Sequence, residues 1–244
     1  MSPAPRAAVA ASKPPRLRAV LWDLDGTLTD SVRLVVETMN WVIAEHGGPL
    51  LAYERVGELI GLPLDAMFRL AWPDVGDTDV ERYRTEYRTR YDAVAIPATR
   101  LYRGARTTLR DFHAAGLLQA TVTGKRAADC ERILSGLGIK KDIDAYLGGD
   151  SVVRPKPAPD LALFAMRRLG VSPAESVVIG DSAADLAMGK AAGAHTIQVL
   201  WGYSHAPLPD AERSVRTWSE LREAVRALGD AKPGILGRRG PLRS

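Results

Sequence analysis

Ala19-Val20-Leu21-Trp22-Asp23-Leu24-Asp25-Gly26-Thr27-Leu28-Thr29 is the stretch that decides the fold. Four apolar residues run straight into two aspartates and a glycine. A short continuous apolar run that meets a Gly-containing turn reads as a buried strand opening into a loop. Four similar runs follow, at 118–122, 145–147, 176–179 and 195–200. Helical patterns separate them at 106–115, 127–137, 159–169 and 183–192, and a glycine follows each, at Gly116, Gly138, Gly170 and Gly193. Glycine just past a helix end is the expected left-handed stop. Strands alternating with helices predict parallel βαβ units, an α/β sheet covered on both faces.

Residues 31–96 interrupt that alternation. Val32, Val35, Val36, Met39, Val42 and Ile43 recur at three- and four-residue steps, one apolar stripe on a helix that stops at Gly47-Gly48-Pro49. Val80, Tyr83, Tyr87 and Val94 mark a second helix, and shorter helices are expected at 52–60 and 64–71. The spacing predicts a helical cap inserted after the first strand and joined by linkers near residue 30 and at 97–104. The expected organisation is a basic tail at 1–18, a core at 19–30 and 97–230, the cap at 31–96, and a second basic tail at 231–244.

Composition narrows the function classes. The chain has 244 residues, with 46% hydrophobic and 25% charged, the balance of an ordinary globular protein. The two tails hold eight basic residues and no acidic one, against a net charge of +4, so the body is net −4. An acidic body with basic ends is a poor platform for nucleic acid. No apolar run reaches the roughly 18 residues of a membrane span. The single cysteine, Cys130, forms no internal disulfide, and a reducing cytoplasm is the expected compartment.

In an open parallel sheet, ligands bind beyond the carboxyl ends of the strands. Here those ends carry Asp23 and Asp25, then Thr123-Gly124-Lys125, then Lys156 within Arg154-Pro155-Lys156-Pro157, then Gly180-Asp181 with Asp185. Two carboxylates about 4 Å apart repel by roughly 4 kcal/mol at an effective dielectric near 20. Gathering several therefore demands a cation, and all-oxygen ligands select a hard one, with Mg2+ the best fit. With phosphate present, one carboxylate can act as nucleophile and a second as acid and then base. Thr123 can donate to a phosphoryl oxygen, and Lys156 can neutralise both nucleophile and phosphate.

Together these residues resemble the haloacid dehalogenase-like superfamily, in particular its phosphatases with a helical cap, over residues 19–228. Asp23 through Thr29 fit the first motif, Thr123 the second, Lys156 the third, and Gly180-Asp181 through Asp185 the fourth. The resemblance implies a Rossmann-like doubly wound parallel sheet with an inserted all-α cap. It implies Asp23 as nucleophile, Asp25 as acid and base, Thr123 and Lys156 as phosphate ligands, and Asp23, the Asp25 carbonyl, Asp181 and Asp185 around magnesium. Gly26, Thr27 and Gly124 would line the phosphate site, while Gly61, Leu62 and Arg69 would reach the substrate from the cap. Gly124 replaces a frequent asparagine, and Leu101-Tyr102-Arg103-Gly104 replaces a common Tyr-Pro-Gly step.

The expected activity is hydrolysis of a small phosphomonoester, phosphoglycolate-like, by a monomer or homodimer. Asp25 argues against a dehalogenase, which needs no leaving-group proton. A phosphomutase resembling β-phosphoglucomutase would place a histidine soon after Asp30-Ser31, and the next is His46. An inorganic pyrophosphatase is another alternative. A non-catalytic scaffold would have lost an aspartate or the lysine, and none is lost.

Overall fold

The computed structural model describes residues 16–53, 59 and 62–230. Most of the first tail, all of the second, most of the expected helix at 52–60, and Gly61 lie outside them. Six strands form one parallel sheet: β1 (Ala19–Trp22), β4 (Leu118–Val122), β5 (Ala145–Leu147), β6 (Ser176–Gly180), β7 (His195–Val199) and β8 (Arg213–Val215). Their order is β5-β4-β1-β6-β7-β8. The chain builds outward from β1 in one direction and then, from β6, in the other. The crevice between β1 and β6 is thus the switch point where such sheets bind ligands.

β1 and β6 are buried along their whole length, which is why they read as continuous apolar runs. Alternate residues face opposite layers. Val20, Trp22, Val177 and Ile179 pack under helices Ala105–Ala114, Ala127–Gly136 and Trp218–Asp230. Leu21 and Val178 pack with Ala120 and Val122 under helices Asp160–Leu169 and Ala183–Ala191. The four glycines expected to stop helices all have positive φ. Cys130 is buried, donates to Thr121 Oγ1 at 3.2 Å, and has its thiol pushed up to about 12, chiefly by burial. It is an inert core residue.

The cap is a separate apolar cluster. Helix Val32–Glu45 lays Val35, Val36, Met39, Val42 and Ile43 against Met67 and Phe68 of helix Leu64–Ala71 and against Val80, Tyr83 and Tyr87 of helix Asp77–Arg90. The expected stripe of the last helix is corrected at its end. Tyr91–Ala95 is a π-helical turn, which holds more residues per turn and rotates the side chains beyond it. Tyr91 therefore continues the buried face, stacked 5.5 Å from Tyr87, while Val94 is 48% exposed. His46 is used inside the cap: it stacks 4.3 Å from Tyr83 and its Nε2 lies 2.7 Å from Glu86.

The two linkers run side by side. β2 (Thr29–Asp30) and β3 (Arg100–Leu101) pair antiparallel, Thr29 with Leu101 and Asp30 with Arg100. This two-residue ribbon connects the cap to the sheet immediately beyond Asp25. Among the described residues, no helix is long and apolar enough to cross a membrane.

Candidate active site

Because β1 and β6 are neighbours in register, with Trp22 opposite Ile179, the residues after them emerge together. The Asp23 N–H donates to the Ile179 carbonyl at 2.9 Å, so Asp23 is held as an extension of the strand. The next turn folds back on itself, with Gly26 N–H donating to Thr29 O at 2.9 Å. Gly26 has φ +78, and a Cβ there would stand 2.2 Å from an Asp181 carboxylate oxygen. A Cβ on Gly202 would meet the same oxygen at 2.2 Å and the Gly26 carbonyl at 2.3 Å. Two glycines thus let the loops after β1 and β7 close on Asp181 from both sides.

Asp181 is buried, accepts from the Tyr203 N–H at 2.7 Å, and accepts from the Thr27 hydroxyl at 3.3 Å. Asp185 lies in the first turn of helix Ala183–Ala191. One of its oxygens accepts from the Ser182 hydroxyl at 2.6 Å and from the Ser182 N–H at 3.1 Å, closing a capping box. Its other oxygen accepts from Lys156 Nζ. The same ammonium donates to Asp23 Oδ1 at 2.6 Å. Lys156 is itself 2% exposed, so this is a buried cation.

One carboxylate oxygen from each of Asp23, Asp181 and Asp185 can be chosen so that all three lie within 4.8 Å of one another. Three buried carboxylates face a single ammonium. Burial and then the Asp185 charge push the Asp23 carboxyl up to about 7 against the pull of Lys156. Burial, then Asp23 and Asp185, hold Asp181 well above the carboxylate range. Such a cluster is short of positive charge. Its oxygen-only donors fit a hard divalent cation, with Asp23, Asp181 and Asp185 as the residues able to hold it.

The Asp25 carboxylate stands apart from that trio. It accepts from the Ser31 hydroxyl and lies 2.9 Å from Lys125 Nζ. Lys125 also donates to the Tyr91 hydroxyl of the cap at 2.8 Å and sits 4.2 Å from that ring's centroid. Burial disfavours the Lys125 charge, but Asp25, together with Tyr91 and Tyr87, outweighs it and holds the ammonium well above its usual range. Sequence reasoning gave Lys125 no role, although it stands next to Thr123-Gly124. Thr123 is buried at the end of β4, and its Oγ1 accepts from the Lys125 N–H at 3.3 Å.

Between cap and sheet lies a cavity of about 280 Å³. Asp25, Gly124 and Lys125 form its floor, and Leu62 and Tyr87 are on its cap side. Arg69 is not brought to it: the side chain is half exposed and pairs with Asp77 at 2.7 Å. Trp201 packs against Trp218 with centroids 4.5 Å apart and donates to the Thr27 carbonyl at 3.0 Å, tying the loop after β7 to the loop after β1.

Comparison with known proteins agrees with this geometry. A family model described as haloacid dehalogenase-like hydrolase matches residues 20–199. A phosphoglycolate phosphatase of Xanthomonas campestris pv. campestris (strain 8004) is 32% identical over 186 residues, covering 76% of this chain and 84% of that protein. An N-acetylmuramic acid 6-phosphate phosphatase of Pseudomonas aeruginosa is 33% identical over 191 residues, covering 78% and 84%. In fold, the chain resembles a hydrolase from Pseudomonas syringae (TM-score 0.76, 24% identity, 87% of this chain and 98% of that one). It also resembles CbbY from Rhodobacter sphaeroides, solved with phosphate (TM-score 0.72, 24% identity, 84% and 96%).

Proposed function

The chain belongs to the haloacid dehalogenase-like hydrolases, and we propose that it is a magnesium-dependent phosphatase that hydrolyses a small phosphomonoester through a phosphate ester of Asp23. The observation that carries this reading is the separation of two aspartates only two residues apart. Asp23 lies in the carboxylate trio on Lys156. Asp25 faces the cavity under the cap, held by Lys125 and Ser31. This separation supports one as nucleophile and the other as proton carrier at the leaving group.

Those positions set the order of steps. Lys156 and the Thr123 hydroxyl hold phosphoryl oxygens, and Asp23 attacks phosphorus in line. Asp25 gives its proton to the leaving oxygen, which departs into the cavity. Asp25 then takes a proton from the water that attacks the aspartyl-phosphate, and phosphate is released. Magnesium, when bound, offsets the repulsion between the Asp23 carboxylate and the anionic phosphate. The cap excludes bulk water during both displacements.

The test is phosphate release, with magnesium, from phosphoglycolate, N-acetylmuramic acid 6-phosphate, pyrophosphate, sugar phosphates and nucleoside monophosphates. Release from a monoester that stops with a chelator is the expected result. No release from any of them would remove the reading.

The folded Asp23 carboxyl titrates near 7 instead of 3.8, so the metal-free fold loses stability as pH rises between those values. Magnesium binds the ionised cluster and should reverse that loss. Its stabilisation, read as the rise in thermal midpoint, should be larger at pH 8 than at pH 5. An equal rise at both values would contradict this account of the site.

A further inference from the structure

On the proposed-function reading, the cavity beside Asp25 is the room for the leaving group. We propose that Arg88, with Arg84 beside it on the cap wall, forms a subsite for an anionic group carried by that leaving group. Neither residue is singled out by the sequence.

The charges on the wall are unevenly satisfied. Asp65 is paired by Arg84 at 3.1 Å, Asp92 by Arg132 at 2.8 Å, and Asp129 by Arg126 at 2.7 Å. Asp150 accepts the Ala127 N–H at 2.8 Å, and Asp25 has Lys125. Arg88 has no hydrogen bond or ion pair among the described residues, yet it lines the cavity and is only partly exposed. Arg84 leaves its Nε buried without a partner. Burial, then the neighbouring Arg84 and Arg126, lower the Arg88 pKa, and Asp65 and Asp129, each already paired to another arginine, offset only part of this. An anion placed there would meet an unused planar donor set suited to carboxylate or phosphate.

The remaining wall is apolar, with Val35, Leu62, Leu64 and Met67. At the roughly 30 Å³ that a water-sized group occupies, the cavity admits a body of about nine heavy atoms. The ligand class is therefore an acidic phosphomonoester, either a phosphorylated carboxylic acid or a bisphosphate, whose carbon chain runs along the apolar side.

The test uses matched esters. 3-Phosphoglycerate and glycerol 3-phosphate differ by a carboxylate against a hydroxymethyl, and ethylene glycol bisphosphate and 2-hydroxyethyl phosphate by a second phosphate. The wild-type protein should favour the acidic member of at least one pair by about tenfold in kcat/KM, since a charge-assisted hydrogen bond carries that much discrimination. Arg88→Met should lose that preference through KM, and Arg88→Lys should recover part of it. Which pair responds tells carboxylate from phosphate. No preference in the wild type, or an equal loss on both members in Arg88→Met, would overturn the subsite. Calorimetric binding of the same pairs to Asp23→Asn asks the question without turnover. If that variant still binds the acidic member more tightly while the wild type hydrolyses nothing, the subsite stands and the phosphatase reading falls.

Discussion

Asp23→Asn should abolish magnesium-dependent phosphate release, by at least about a thousandfold in kcat, while leaving the protein folded. The exchange keeps the side chain's shape at a buried position, and its carbonyl oxygen can still accept from Lys156. What disappears is the carboxylate proposed to attack phosphorus. The metal-free variant should also unfold at a higher temperature than the metal-free wild type at pH 8. In the wild type, burial and the Asp185 charge oppose ionisation of Asp23, and ionisation is complete only above about 7. The asparagine is neutral at every pH, so it escapes that penalty. The gain should shrink towards pH 5, where Asp23 is protonated in the fold. Substantial residual turnover in a freshly purified, correctly folded variant would move the nucleophile elsewhere. A lower unfolding temperature at pH 8 would mean that the cluster is not short of positive charge.

The residues that gather around Asp23 were legible because parallel strands buried on both faces write their chemistry at their carboxyl ends. β1, β4 and β6 each read as an apolar run with a polar stop, and those stops meet in the structure. Lys156 was legible for a different reason: flanking prolines isolate it in a loop after β5. Lys125 was not, because its role comes from Tyr91 of the cap, 34 residues away in sequence, and a lysine after a glycine carries no signal of such a partner. Arg88 was hidden in the same way. Helical periodicity separates buried from exposed faces but does not say which intermediate position faces a neighbouring unit. Arg69, equally plausible by type, turned to Asp77 instead. The π-helical turn escaped because one extra residue per turn shifts the register without changing composition. The ribbon of β2 and β3 is two residues long, too short to leave an alternating pattern.

Lys156→Met separates the buried counter-ion that Lys156 is in the structure from the phosphate ligand it is in the proposed mechanism. Its ammonium reaches Asp23 at 2.6 Å and also Asp185, and the aliphatic stem is buried with it. Methionine fills much of the stem's volume, so the main loss is charge. Removing one partner of a buried ion pair costs about 3–5 kcal/mol because the other is left uncompensated. Here two carboxylates lose their partner, and a third, Asp181, remains nearby. The sign with pH comes from Asp23. Without Lys156 its folded pKa rises further, so the variant's deficit should be smallest near pH 5 and grow towards pH 8. Magnesium supplies positive charge to the same cluster and should restore much of the thermal midpoint at pH 8. It should not restore the rate, because the ammonium proposed to hold a phosphoryl oxygen is still missing, and kcat/KM should remain down by about a hundredfold or more. Recovery of stability without recovery of turnover is the expected signature. Full turnover with magnesium would reduce Lys156 to a structural counter-ion and leave Thr123 and the metal as the phosphate's only holders.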